Sequence, residues 1–254
     1  MMTKAIAILE SRSRPEQAAD RLIIALDVAT VKEAKGLVRL LGDRVSFYKI
    51  GLHLQLAKGL FGFAERLIRE NKKVFLDFKY IDIEDTIVGA IDGASRMGMN
   101  FVTVYQSSHA IKAALKGRDK RDRPKILTVT LLTDRDQNYI RTEFNSPLSV
   151  EDFVVERARI IHEAGGDGVI ASPLEVFAIR KAIPDPDFLI VTPGIRPSWS
   201  QASGHKRAGT PSAAIECGAD YLVVGRPIIQ AGARAAEAAS RIIDEMQTAF
   251  DKRP

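Results

Sequence analysis

Past a polar opening, the chain alternates short apolar runs with longer stretches whose apolar residues recur at helical spacing. LIIALDV, from Leu22 to Val28, precedes VKEAKGLVRLL, and together they make one β/α unit. The pattern recurs as VSFYKI from Val45 followed by LHLQLAKGLFGFAERLIRE, then as KVFLDFK from Lys73 followed by IEDTIVGAIDGASRMG. NFVTVY from Asn100, KILTVTLL from Lys125, GVIAS from Gly168, FLIVT from Phe188 and YLVVG from Tyr221 are further strand candidates, each with a helical pattern after it. The total is about eight, the number that closes a parallel barrel. The expected fold is therefore α/β, a single-domain (β/α)8 TIM barrel.

No linker divides the chain, and its 254 residues, 46% hydrophobic, suffice for one barrel core. The expected organisation is an N-terminal extension over residues 1–20 and a barrel catalytic domain over 21–254. Two long connections, Thr133 to Ser149 and Gly194 to Thr210, leave the carboxyl ends of proposed strands, the end that carries the active site in this architecture. The second, GIRPSWSQASGHKRAGT, is rich in Gly, Ser and basic residues. It reads either as a mobile lid over an anion or as a plain surface loop. Trp199 within it reads as a lid or surface residue.

Charge narrows the partners. Against 32 acidic residues stand 37 Lys and Arg, a net +5 spread along the chain rather than gathered in a tail. That balance favours an anionic ligand such as a phosphate ester and does not require nucleic acid. The opening apolar run, broken by Glu10 and Arg12, is too short for a signal segment, and no stretch approaches the roughly 20 apolar residues of a membrane helix. Cys217 is the sole cysteine, which rules out an internal disulfide and suits a cytoplasmic setting. Its Ala-rich surroundings suit a buried structural thiol rather than a nucleophile. His53, His109, His162 and His205 show no ligand spacing, and no GxGxxG or GxxxxGK[ST] element follows a strand. Neither a metal nor a cofactor is expected.

Strand parity places the candidate chemistry. Asp77 and Lys79, two apart at the end of KVFLDFK, project to one side; Lys49 shares its side with Phe47 and Val45, and Asp27 with Ala25 and Ile23. Four charges thus end three neighbouring strands, and each follows its apolar run, which selects the active face. Opposed charges in one mouth imply a mutually neutralising network, since a buried charge must be paired. Asp82, just past the third strand, reads either as a further site charge or as a helix cap.

The last strand runs into Gly225 and Arg226, with Pro227 opening a helix. A glycine allowing close backbone approach, amides at a helix start and an adjacent guanidinium fit a phosphate, as does the position after the last strand. An ordinary turn into a helix has the same sequence. Arg196 is a second phosphate candidate.

These residues together resemble the orotidine 5′-phosphate decarboxylase family, from about Arg21 onward. The most specific element is a DxKxxDIxxT pattern, present as Asp77, Lys79, Asp82, Ile83 and Thr86. Supporting it are ALD ending at Asp27, YKIG containing Lys49, VTPGIRP from Val191 to Pro197 with Pro193 inside it, and VVGRPI from Val223 to Ile228. The resemblance implies cofactor-independent conversion of orotidine 5′-phosphate to uridine 5′-phosphate in de novo pyrimidine synthesis. It implies that Asp27 and Lys49 hold the ribose, Thr133 meets the pyrimidine edge, and Arg226 and Arg196 bind phosphate. Lys79 would protonate C6, and Asp77 would orient both lysines. Thr86, Pro193 and Gly225 belong to the implied substrate-binding set, and Asp82 would reach the neighbouring subunit's site in a homodimer.

Departures stand beside the match. The family's Asp-Gln before the Lys-Arg pair is Gly204 and His205 here, so the phosphate-binding glutamine that the resemblance implies is missing, and His205 and Gln201 are the candidates to replace it. VYQSS replaces VHA after the fourth strand, and IEDT replaces IPNT after Asp82. Two other functions fit parts of the pattern. A sugar-phosphate decarboxylase or aldolase of the same superfamily shares DxKxxD but has an acid where Lys49 stands and requires magnesium. A non-catalytic nucleotide-binding barrel would keep the phosphate motif without reason to keep Asp77, Lys79 and Asp82 together.

Overall fold

The computed structural model describes residues 17–200 and 206–252. After a turn of 3-10 helix at Ala18–Arg21, the elements run β1 (Leu22–Ala25), α1 (Val31–Leu41), β2 (Phe47–Ile50), α2 (Leu60–Arg69), β3 (Lys73–Tyr80), α3 (Glu84–Arg96), β4 (Phe101–Val104) and α4 (Ser108–Arg118). They continue as β5 (Lys125–Val129), α5 (Gln137–Phe144), α6 (Val150–Glu163), β6 (Gly168–Ile170), α7 (Val176–Ala182), β7 (Leu189–Thr192), α8 (Pro211–Glu216), β8 (Tyr221–Val224), α9 (Arg226–Ile229) and α10 (Ala235–Asp251). Every strand coincides with an apolar run picked out by the sequence pattern, β3 running one residue further, to Tyr80. All neighbours pair in parallel, and β1 pairs β8 through Ile23 and Val223, so the sheet closes as a (β/α)8 barrel.

Alternation along the strands divides the core into two. Ile23, Ala25, Phe47, Phe75, Phe101, Leu127, Ile170, Val191 and Val223 point inward and form their own cluster. Their neighbours, among them Leu22, Ile24, Tyr48, Val74 and Val102, point outward and pack against the helices. Phe47 and Phe101 meet edge to face at 4.9 Å between centroids, and Tyr221 lies 5.1 Å from Phe101. These rings plug the barrel, so any ligand space is confined to its mouth.

Local chemistry fixes where the helices begin. Thr30 accepts a hydrogen bond from the Glu33 amide ahead of α1, and Ser107, Ser149 and Thr210 cap α4, α6 and α8 in the same way. The first long connection is not all loop. Asp136 caps α5 by accepting from the Tyr139 amide, and Asn145 ends that helix in the left-handed region at φ 47°. In the second connection Ile195 pairs with Gly209, the Arg196 amide donates to the Gly209 carbonyl at 2.8 Å, and Arg241 stacks 4.4 Å over the ring of Trp199. Trp199 is half-buried against the core, so that limb of the connection is anchored to α10.

One strand is irregular. Leu76 pairs with Val102 and Tyr80 with Val104, so β3 uses four residues where β4 uses two. Lys79 accommodates the excess with a left-handed backbone, φ 54°, an uncommon conformation for a residue with a long side chain.

Candidate active site

At the carboxyl ends of the strands the barrel opens into a cavity of about 570 Å³, an ordinary size for a small-molecule site. Ala25, Val129, Ile170 and Val223 line its apolar base, and Asp27, Lys49, Asp77, Lys79, Thr133, Pro193, Arg196, Gly225 and Arg226 supply its polar wall. Nine residues expected from sequence therefore share one cavity. Asp82 and Thr86 do not line it; both are exposed at the rim, where the Asp82 carboxylate accepts from the Ile83 amide at 2.7 Å. Ile83, not Asp82, occupies the cap position of α3. Gln201 and His205 lie outside the described residues.

Four of these side chains form an alternating chain of charge. Lys49 Nζ stands 3.5 Å from Asp27 Oδ1 and 3.2 Å from Asp77 Oδ2, and Lys79 Nζ donates to Asp77 Oδ1 at 2.7 Å. Each lysine thus meets a different oxygen of Asp77. Burial disfavours the charged form of Asp77, but Lys49, Lys79 and a hydrogen bond from Thr103 outweigh it and hold the carboxyl below the ordinary aspartate range. Burial likewise opposes the Lys49 ammonium, yet Asp77 and then Asp27 raise its pKa above the usual lysine value. Both groups are held charged where water is largely excluded.

Thr103 was not among the residues expected from sequence. Its hydroxyl donates to Asp77 Oδ1 at 3.0 Å while accepting from the Lys79 amide at 2.9 Å, so it braces both the carboxylate and the left-handed backbone. The signal was present: Thr103 is two residues past the inward-facing Phe101, the same parity that places Asp77 after Phe75. His53 also lines the cavity, with Nδ1 3.9 Å from Asp27 Oδ1, but its side chain is largely exposed. No pattern marks it, because it falls in a single turn of 3-10 helix after β2. Gly51 leaves room for the network, since a Cβ there would sit 2.9 Å from Lys49 Nζ.

The same cavity is lined by two guanidiniums, those of Arg196 and Arg226. Partial burial, and next the like charge of Arg226, lower the pKa of Arg196. Gly225 lies beside β1: a Cβ there would stand 3.4 Å from both Ala25 Cβ and Asp27 Oδ2, ordinary van der Waals contact, so no close approach demands a glycine at this position. The helix that Arg226 opens has only four residues, so side-chain charge rather than a helix dipole carries the positive field. Among the described residues no group of three or more His, Cys, Asp or Glu is placed to hold a metal ion. Nor is any described helix long and apolar enough to cross a membrane.

Fold and site together define a (β/α)8 barrel protein whose mouth holds a carboxylate–ammonium network and two guanidiniums in one cavity. A family model described as orotidine 5′-phosphate decarboxylase / HUMPS family matches residues 20–242. Orotidine 5′-phosphate decarboxylase of Nitrobacter winogradskyi is 49% identical over 233 residues, 92% of this chain and 95% of that protein. The Heliobacterium modesticaldum protein of the same name is 42% identical over 245 residues, 93% of this chain and 100% of its own length. Among solved structures, orotidine 5′-phosphate decarboxylase from Lactobacillus acidophilus superposes with a TM-score of 0.76 at 34% identity, covering 89% of this chain and 99% of that one. The chain belongs to the orotidine 5′-phosphate decarboxylase / HUMPS family.

Proposed function

We propose that this chain decarboxylates orotidine 5′-phosphate to uridine 5′-phosphate in de novo pyrimidine synthesis, without metal or cofactor, and that Lys79 is the proton donor. The observation that carries this reading is the pair of contacts made by Asp77, one to each lysine, in a cavity that two guanidiniums also line. Arg196 and Arg226 grip the phosphate, Asp27 and Lys49 hold the ribose, and Thr133 meets the pyrimidine edge, with Pro193 and Gly225 shaping the walls.

When the C6 carboxylate departs as carbon dioxide, its bonding electron pair stays on C6, with no adjacent carbonyl to spread it. A fixed ammonium is then the available stabiliser, and Lys79, restrained by Asp77, supplies both the positive charge and the proton that ends the step. Solvent returns a proton to the lysine. Binding energy from the phosphate offsets the cost of holding the substrate carboxylate near Asp77. A magnesium-dependent sugar-phosphate reaction fits less well, because an ammonium stands between Asp27 and Asp77 where that chemistry wants another acid.

The same reading includes a homodimer in which Asp82 serves the partner's site. Its support is the exposed apolar surface beside it: Ile81 and Ile83 are 65% and 70% exposed, and Leu52 and Leu56, after the neighbouring strand β2, are 59% and 96% exposed. Residues 21–254 form the catalytic domain with 1–20 as an extension, and the setting is cytoplasmic, consistent with a single cysteine.

The test is direct. Purified protein in chelator, given orotidine 5′-phosphate, should release carbon dioxide and show the ultraviolet change of uridine 5′-phosphate formation. Absence of turnover, or full turnover by Lys79→Ala, would sink the proposal.

A further inference from the structure

Glu175 and Arg207 form a buried ion pair that no catalytic step above uses. Arg207 Nη1 lies 2.9 Å from Glu175 Oε1, and the two side chains are only 8% and 5% exposed. Glu175 stands at the start of α7, past the end of β6, and Arg207 is on the returning limb of the connection after β7. The rest of Arg207 is spent on a third loop. Nη2 donates to the carbonyls of Leu131 at 3.2 Å and Leu132 at 2.8 Å, and the backbone amide donates to Thr133 at 3.2 Å. Lys206 adds an ion pair to Asp136 in the same connection.

Arg207 therefore joins three loops at the mouth. Three consecutive carbonyls of the β5 loop, ending at Thr133, are fixed to it. Two residues further on, Gly209 accepts from the Arg196 amide and donates to Gly194, which ties Arg207 to the segment bearing Pro193 and Arg196. Glu175 supplies the countercharge to the guanidinium. Among the described residues, Glu175 Oε2, Arg207 Nε and Arg207 Nη1 have no hydrogen-bond partner, so the Glu175 contact holds by charge attraction, and that attraction with the two carbonyls is what offsets the burial.

We infer that Arg207, held by Glu175, is a positioning residue that sets the distance between the Thr133 loop and the Arg196 loop, and so matches the site to the span from base to phosphate of a nucleotide monophosphate. This rests on the proposed roles of Thr133 and Arg196. It places the effect on substrate binding rather than on the proton transfer, since neither residue touches the Asp77 network.

The experiment must separate positioning from stability. Arg207→Met with Glu175→Leu, in the full chain, removes both charges and leaves neither one buried alone. The double variant should melt near the parent, with KM for orotidine 5′-phosphate raised about tenfold or more and kcat reduced less than about threefold. Calorimetry with uridine 5′-phosphate should show the same loss of affinity. A folded double variant with parent-like KM and parent-like nucleotide affinity overturns the positioning role. A parent chain that binds uridine 5′-phosphate but does not decarboxylate overturns the proposed reaction instead, and the binding comparison still decides for Arg207. If the double variant does not fold, Arg207→Lys decides. It keeps the charge beside Glu175 but has no planar fork to reach the Leu131 and Leu132 carbonyls as well, so the same rise in KM is expected and a parent-like KM overturns the role.

Discussion

Asp77 and Lys79 are two residues apart on β3 and meet at 2.7 Å. The contact lies where Lys79 has a left-handed backbone and β3 sets four residues against two of β4. Lys79→Ala removes one of the two cations on Asp77 but leaves the Lys49 contact in place. Its side chain is 35% exposed, so folding stability should change by about 1 kcal/mol or less. Decarboxylation should fall by about a thousandfold or more, as expected when one group supplies both proton and charge. Thermal melting beside steady-state rates checks both halves. A large loss of stability would mean that Lys79 is a structural residue first.

Asp77→Ala should behave differently, because Asp77 is 9% exposed and neutralises two ammoniums. Removing it leaves Lys49 and Lys79 facing each other across the space it filled. Stability should fall by about 3 kcal/mol or more, the range for breaking a buried pair, together with the activity. Denaturant unfolding of the two variants side by side reads the contrast.

The network also fixes a pH window. The folded-state pKa of Asp77 is depressed, so its contribution is fully present above the unfolded aspartate value of about 3.9 and is lost as pH falls through the lower folded value. That of Lys49 is raised, so its contribution is present below about 10.4 and is lost as pH rises through the higher folded value. Asp77→Asn should shrink both limbs, since it removes the carboxylate that titrates in acid and the leading charge that holds the Lys49 proton. Melting temperature measured across pH in parent and variant tests this; superimposable acid limbs would contradict it.

Much of this site was legible in the sequence because period-2 alternation is enforced by the packed interior. Phe75 must face inward, so Asp77 does too, and the same holds for Phe47 with Lys49 and Ala25 with Asp27. What sequence reading did not yield depends on contacts between distant segments. Thr103 shares the inward parity, but its partner is set by the register shift of β3, which no local pattern encodes. Helix α5 hides in a connection because only Ile140 of its eight residues is buried, leaving a weak apolar period. Glu175 and Arg207 look like ordinary surface charges until the loops carrying them are folded over one another.

Arg196 and Arg226 line one cavity, and the charge of Arg226 adds to burial in lowering the Arg196 pKa. If both meet the phosphate, Arg226→Met should weaken nucleotide binding. Uridine 5′-phosphate at about 100 times its parent Kd should stabilise the parent by about 2.7 kcal/mol, and the variant far less at that concentration. Thermal unfolding with and without nucleotide measures both effects. Equal ligand-induced shifts would remove Arg226 from the phosphate site.

If Asp82 serves the neighbouring site, inactive Lys79→Ala and Asp82→Ala proteins should regain activity when mixed. A hybrid dimer has one site that lacks both groups and one that has neither lesion, so random exchange restores about a quarter of the sites. Rates after mixing, with subunit exchange followed independently, check this. Complete exchange without recovery would place Asp82 outside the partner's site.

Two glycines separate the demands of the site from those of the fold. A Cβ at Gly51 would stand 2.9 Å from Lys49 Nζ, the far end of a flexible side chain, and the backbone there, at φ −110°, suits any residue. Gly51→Ala should therefore fold with near-parental stability while shifting the ammonium slightly without breaking its contacts to Asp27 and Asp77, lowering kcat/KM by about tenfold or more. A Cβ at Gly168 would stand 2.3 Å from the Leu189 carbonyl oxygen, on the paired strand β7, where the obstacle is backbone and cannot swing aside. Gly168→Ala should cost about 1–3 kcal/mol of stability through overpacking and leave the charge network in place in whatever fraction folds. Melting curves and rates per folded molecule for both variants distinguish the cases: a stable but slow Gly51→Ala and an unstable but competent Gly168→Ala are expected, and the reverse pattern would mean that Lys49 is not held where its contacts place it.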